Sequence, residues 1–551
     1  MQRHLHRFAS GFASLLLVTT ACVGEISSPG ASDGGEGREG EGGELGEVEA
    51  PRFARLTHSQ WEHTVEDLLG ITDLGELPNR LHPDPPLGRF TNNIARLLIT
   101  GPHWESYQFA AEQLAARVVE DEESLARILP TGLPDLDDVP TTARAFITHF
   151  GAQAFRRPLS DVDLDRYETL FARGTELFRE DDELRAGVRI VIEAMLQSPH
   201  FLYRAETGED LDPALSGYHL ASRLSYFFWD TMPDAELFAA AASGVLETEE
   251  GLRAQAERMF DDPRTREQFK DFHYQAFKLG EYADLDKDVG TFPQWSRELG
   301  QMMQQEMLLF FDSVVFDDGT IADVLTSTRA YVNSELAAIY GLLGGFGEDF
   351  VPVELDSSER AGFITRAGFL TRNATLTQPD PIHRGVFINH DLVCRDLPAL
   401  PDLPEYLEPV GDTNRERITS ITGPNTCGEQ CHATIINPPG FALESFDALG
   451  QIRTTDNGFP LDLADTYEFE DGRQISFVDG VDLSRQLARA PEFHACYVQK
   501  LLEFAGGRNL EPPDQPFVQS LAAASLADGL TVREIVLRIV TSDSFRPNRR
   551  S

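Results

Sequence analysis

The stretch Thr57-His58-Ser59-Gln60-Trp61-Glu62-His63-Thr64-Val65-Glu66-Asp67-Leu68-Leu69 opens on a capping threonine and then places Trp61, Val65, Leu68 and Leu69 at three- and four-residue steps. An α-helix turns once in about 3.6 residues, so this spacing gathers the apolar side chains on one face. The same pattern recurs over residues 104–119, 142–155, 164–178, 184–196, 218–228, 234–242, 251–260, 267–279 and 295–311. It returns over 483–488, 492–505, 515–527 and 532–541. Proline and glycine punctuate between these runs, as at 81–86 and 130–140. Residues 452–481 break the pattern: they alternate apolar and polar around Asp456-Asn457-Gly458, the mark of a small β-hairpin or ribbon. The expected fold is mainly α, a multi-domain helical protein with a small β-ribbon insertion in its C-terminal part. Its 551 residues exceed what one ordinary core organises, so three or more packing units are expected.

Asp and Glu number 90 against 47 Lys and Arg, a formal net charge of −43. Such a surface repels phosphate backbones and anionic lipid headgroups, which argues against a nucleic-acid partner and against polybasic docking on a membrane.

The N-terminus reads as an export address. Arg3 and Arg7 precede a mostly apolar run from Phe8 to Ala21, shorter than the roughly 20 residues a membrane-spanning helix needs. Leu16-Leu17-Val18-Thr19-Thr20-Ala21-Cys22 resembles a bacterial lipoprotein signal in which Cys22 becomes the acylated first residue, although Thr19 stands where such signals usually carry Leu or Val, and Thr19-x-Ala21 also fits plain secretory cleavage. The lipidated reading makes the protein an exported one of the cell envelope, facing the periplasm or the cell surface and held to the membrane only through Cys22. Residues 24–50 are rich in Gly, Glu and Ser and too poor in apolar side chains to order themselves, so they read as a disordered acidic tether with a reach of roughly 30 Å. Gly35-Glu36-Gly37-Arg38-Glu39-Gly40 matches a dinucleotide fingerprint in letters only, with no strand before it and glutamates that would repel a pyrophosphate.

Beyond Cys22 the cysteines are Cys394, Cys427, Cys431 and Cys496. Exported thiols meet an oxidising environment, so each is expected to have a use. Cys427-Gly428-Glu429-Gln430-Cys431-His432 has the order of a c-type haem attachment motif, in which two thiols bond the haem vinyl groups and the next histidine ligates iron. Three residues separate the cysteines, one more than is usual. A local Cys427–Cys431 disulfide and a zinc site from Cys427, Cys431, His432 or His494, and Cys496 are the rival readings. With haem at Cys427 and Cys431, Cys394 and Cys496 are left as a disulfide candidate.

Further motifs surround this one. Ala361-Gly362-Phe363, Gly368-Phe369-Leu370-Thr371, Pro381-Ile382-His383-Arg384-Gly385-Val386 and Leu392-Val393-Cys394 precede it, and Ile436-Asn437-Pro438-Pro439-Gly440-Phe441-Ala442-Leu443-Glu444 follows. Together they resemble the planctomycete-type cytochrome c domain of large exported bacterial proteins. Arg55-Leu56-Thr57, Phe155-Arg156-Arg157-Pro158-Leu159, Ser198-Pro199-His200-Phe201-Leu202-Tyr203-Arg204, Ala221-Ser222-Arg223-Leu224-Ser225 and the stretch around Cys496 and Gly507-Arg508 resemble its associated domains of unknown function. The expected division is a signal peptide (1–21), the tether (22–50), helical domains at 51–125, 140–206 and 214–342, a cytochrome c-like domain at 358–456 and a C-terminal helical domain at 475–545.

The resemblance implies haem c but no established substrate, and leaves open whether the chain is an enzyme. It makes Cys427 and Cys431 the cofactor-binding pair and His432 the proximal iron ligand. No methionine follows Met307, so the distal ligand must come from elsewhere; His494 is the candidate, with His383 and His390 also near in sequence. Met302, Met303 and Met307 lie at helical spacing with Leu299 and Phe310 and read as core. Asp284-Leu285-Asp286-Lys287-Asp288 lacks the glycine and glutamate of a calcium loop, since Val289 and Trp295 stand there. Two functions remain: a redox or electron-transfer protein serving an unknown partner, or a non-enzymatic surface module held by disulfides or zinc.

Overall fold

The computed structural model describes residues 52–85, 88–131, 138–178, 182–207, 213–397, 408–426 and 428–546. The expected signal peptide, Cys22, the tether and Cys427 lie outside them. Among the described residues the architecture is mainly α-helical, with four separate two-stranded antiparallel pairs.

The opening helix runs His58–Leu69. Thr57 caps it by accepting from Gln60 N while the Gln60 side chain returns to the Thr57 amide, and Gly70 ends it in a left-handed conformation. Its apolar residues share a first core with the helices Gly101–Glu120, Val139–Ala154 and Glu183–Leu196, to which Leu114, Phe146, Phe150 and Ile192 belong. A hairpin-like pair, Arg52–Arg55 against Tyr203–Thr207, closes one end of this unit, with Arg55 opposite Tyr203.

A second core joins residues far apart in the chain. Leu224 and Phe228 of the helix Ser216–Phe228, Phe311 of the helix Arg297–Phe316, Phe363, Phe387, Leu443, Tyr497 and Val536 all belong to it. Stacked rings give it a spine: Phe277 lies 4.9 Å from Phe311 at 11°, and His273 lies 4.4 Å from Phe311 at 20°. A third, smaller core carries Trp295, Leu299 and Met303 against Leu336, Ala367 and Leu449. Met303 and Met307 are fully buried. Beside this core Glu306 is buried between Arg366 Nη1 (3.1 Å) and the Tyr340 hydroxyl (2.8 Å).

Three boundaries depart from the apolar pattern for identifiable reasons. The run expected over 164–178 is two helices, Asp161–Phe171 and Gly174–Phe178. The backbone at Gly174 rests on the Glu183–Leu196 helix, where a Cβ would stand 2.5 Å from the Ala186 carbonyl carbon. The run expected over 267–279 starts earlier, as Pro263–Ala276, because Asp262 caps it and Pro263 suits its first turn. The ribbon over 452–481 is two hairpins: Thr455–Asp456 with Phe459–Pro460, and Asp465–Glu468 with Gln474–Phe477. Asn457 (φ 49°) and Gly458 (φ 86°) make the tight turn of the first.

Candidate functional site

The Cys431–His432 step sits where a short helix, Glu429–Cys431, widens into a π-helical segment, His432–Ile436, and then narrows into the helix Asn437–Phe441. Wide turns of this kind are uncommon and recur at functional sites. Both Cys431 and His432 are half-buried, and Cys431 carries a free thiol. The residues that follow, Asn437 to Phe441, are buried.

One hydrogen-bond chain fixes the imidazole. The Thr422 hydroxyl donates to the Ile418 carbonyl (2.7 Å), so it accepts from Asn437 Nδ2 (2.9 Å). That turns the Asn437 carbonyl oxygen toward His432 Nδ1 at 3.1 Å. His432 therefore donates from Nδ1, and its Nε2 keeps a lone pair with no hydrogen-bond partner among the described residues. Metal-ligating histidines are oriented in this way, by an acceptor on the other ring nitrogen.

The segment is held from behind by the helix Pro381–Phe387 and a second π-helical segment, Ile388–Leu392. The two backbones touch: a Cβ at Gly385 would lie 1.8 Å from the Ile436 oxygen, and one at Gly440 would lie 2.0 Å from the Pro381 oxygen. Asn389 Nδ2 donates to both Gly385 O (2.8 Å) and Ile435 O (2.9 Å), and Tyr467 donates to Asn389 Oδ1 (2.9 Å). Arg384, 0% exposed, donates to the carbonyls of Leu370, Asn373, Leu443, Phe446 and Asp447. Burial pushes its pKa down to about 10, with the Glu444 carboxylate opposing. Burial raises Glu444 in turn, against the pull of Arg453 at 2.6 Å.

The other candidate residues lie elsewhere or are committed. Cys394 and Cys496 form a disulfide, with Cα atoms 5.3 Å apart. A zinc set using Cys496 is thereby removed. His494, 1% exposed, has both ring nitrogens engaged, Nδ1 with Ser525 Oγ and Nε2 with Ala488 O, each at 3.0 Å. It is a packed core histidine with no nitrogen to offer iron, a correction to its expected distal role. His383 is exposed and held to Asp380 at 2.6 Å, and His390 Nδ1 meets Asp391 at 3.2 Å. Lys287, inside the acidic 284–288 turn, donates to the carbonyls of Ala374 and Thr375. The Thr422–Asn437–His432 chain and the Asn389 bridge carry no signal in the sequence. Asn437 stood five residues after His432, but amide orientation is a tertiary property.

Five family models match successive parts of the chain, each described as a protein of unknown function: DUF1587 over residues 54–120, DUF1595 over 142–206, DUF1592 over 215–342, DUF1588 over 360–456 and DUF1585 over 473–545. The chain carries the planctomycete-type, cytochrome c-like domain set. Cys431, His432 and Asn437 fall in its DUF1588 segment, and the disulfide ties that segment to the DUF1585 segment. Its DUF1592, DUF1588 and DUF1585 segments contribute to one shared core. No curated protein and no solved structure matches the chain. Among the described residues no helix is long and apolar enough to cross a membrane.

Proposed function

We propose that this is an exported haem c protein with a redox or electron-transfer role, anchored through a lipid on Cys22. The observation that carries the reading is the imidazole of His432, oriented by Asn437 through Nδ1 and open at Nε2, beside the free thiol of Cys431. Cys427 and Cys431 would hold the haem through two thioethers, and His432 would ligate its iron. Haem supplies a one-electron iron couple. This chain's own contribution is orientation: Asn437 fixes the ring tautomer, and the Gly385–Ile436 contact fixes the segment that bears it. His494 is left out of the ligand set. The test is the visible absorption spectrum of full chain made with c-type haem maturation machinery. Wild type is expected to show a Soret band that shifts or fades in His432→Ala; an identical spectrum in that variant would remove His432 from the iron.

A non-enzymatic surface module is favoured by one observation, the Cys394–Cys496 disulfide that staples the C-terminal third. It predicts wild-type protein without a Soret band from the same expression.

A further inference from the structure

The helix His58–Leu69, the turn at Pro83 and Asp84, the helix Pro263–Ala276 and Phe504 border a cavity of about 720 Å³. It lies where the DUF1587, DUF1592 and DUF1585 segments meet, and junctions of this kind are preferred places for small-ligand sites. Six carboxylates line it, Glu66, Asp67, Asp84, Asp230, Glu267 and Asp271, beside the guanidinium groups of Arg96 and Arg264.

In a chain of net charge −43 a carboxylate cluster is by itself an ordinary solvated face, so its partners decide what it means. Three of the six are paired: Asp84 with Arg55, Asp230 with His63 at 3.2 Å and Glu267 with Lys270 at 2.8 Å. Arg264 is held by Asp262 at 2.8 Å and lies over the Trp229 ring at 3.8 Å. Asp67 and Asp271, both exposed, accept from neutral donors, the Thr231 hydroxyl (2.7 Å) and Gln275 Nε2 (2.5 Å). Among the described residues neither has a cation within ion-pair distance.

An amide gives this cluster its meaning. Gln268 lines the same cavity and is 7% exposed, yet among the described residues its side chain has no hydrogen-bond partner. A buried amide left unpaired is costly, and an occupant of the cavity would supply the missing bond. Gln268 and Asp271 stand three residues apart on the helix Pro263–Ala276 and so share one face of it. A carboxylate and an amide oxygen side by side are acceptors, and their complement is an ammonium group, which has three N–H donors and no acceptor. Among the described residues no three His, Cys, Asp or Glu side chains are grouped to hold a metal ion, which favours an organic cation.

We propose that this cavity binds a small aliphatic amine, whose ammonium donors meet the Asp271 carboxylate and the Gln268 amide oxygen. Its methylene chain lies toward Trp229 and Phe504, the apolar part of the lining. The site is independent of the haem reading, because no residue is shared with the Cys431 segment.

Calorimetric titration of the full chain at matched ionic strength tests it with three probes: 1,4-diaminobutane, its neutral counterpart 1,4-butanediol, and magnesium chloride. The diamine is expected to bind at least about tenfold more tightly than the diol or magnesium, since hydrogen bonds to a charged group contribute about that factor. Gln268→Leu is expected to weaken the diamine about tenfold without lowering the melting temperature, because it removes no bond already made in the fold. Asp271→Asn, at an exposed position, serves as a second variant and is expected to weaken the diamine about fivefold. No heat from the diamine, equal or tighter binding of the diol or of magnesium, full affinity in either variant, or a lowered melting temperature in Gln268→Leu would overturn the proposal.

Discussion

Among the described residues two regions contain cysteine, and they are built in opposite ways. Around Cys394–Cys496 the thiols are cross-linked and the neighbouring charges are paired. Cys496 is buried, and Asp391 beside it receives Arg89 and Lys278, each at 2.9 Å. Lys500, one turn beyond Cys496, is buried on the carbonyls of Ala276 and Asp391. Residues 89, 278, 391 and 500 thus bring four distant stretches of chain to one point. Around Cys431–His432 the backbone is equally well held, by glycine contacts and the Asn389 bridge, yet the thiol and one imidazole nitrogen are left open. Thiols in one compartment are sorted by their surroundings: buried and cross-linked where they stabilise, supported but open where they act.

Breaking the closed region should give the largest loss of stability. The disulfide spans 102 residues, and a loop of that length is worth about 4–5 kcal/mol in the chain-entropy account. Cys394→Ala with Cys496→Ala is expected to lower unfolding stability by that order, read from urea titration. Asp391→Asn should come next, at about 3 kcal/mol, because it leaves Arg89 and Lys278 facing a neutral amide beside buried Lys500.

The same region should also be acid-sensitive. His273 donates from Nδ1 to Phe269 O (2.7 Å) and accepts from the Tyr497 hydroxyl at Nε2 (2.8 Å). Burial pushes its pKa down to about 3, with the Phe269 carbonyl opposing. The unfolded chain takes up this proton near pH 6.5, while the folded chain refuses it until about pH 3. Stability is therefore expected to fall as pH drops through that window. Asp391 adds to the loss below the ordinary carboxylate range: burial raises it, but His390, Lys500 and Lys278 outweigh burial and hold it well below. His273→Phe should flatten the upper part of the pH profile; an unchanged slope would place the acid sensitivity elsewhere.

The smallest effect sharpens the contrast. Cys431→Ala, at a half-buried and unbonded thiol, is expected to change stability of the apo chain by less than about 1 kcal/mol. A loss as large as that of the disulfide pair would erase the distinction between the two regions.

The helices were legible because their evidence is local. Trp61, Val65, Leu68 and Leu69 announce a face, and Thr57 announces its start. What they pack against was not legible, since a core linking Phe90 to Phe545 is assembled across the whole chain. At the site, Cys431 and His432 stand out as letters. Asn437 does not, because an asparagine becomes a histidine's acceptor only once Thr422 has turned its amide. His494 shows the reverse: with no methionine after Met307, its nearness in sequence to the Cys427–His432 motif suggested a ligand, and two tertiary hydrogen bonds, to Ser525 and Ala488, remove it.

The most direct test of the haem assignment is covalent attachment. Full chain and the Cys427→Ala, Cys431→Ala variant are made alongside c-type haem maturation machinery, separated on a denaturing gel and stained for haem. A stained band is expected at the position of the wild-type chain and none for the variant. An unstained wild-type band, or equal staining of both, would contradict it.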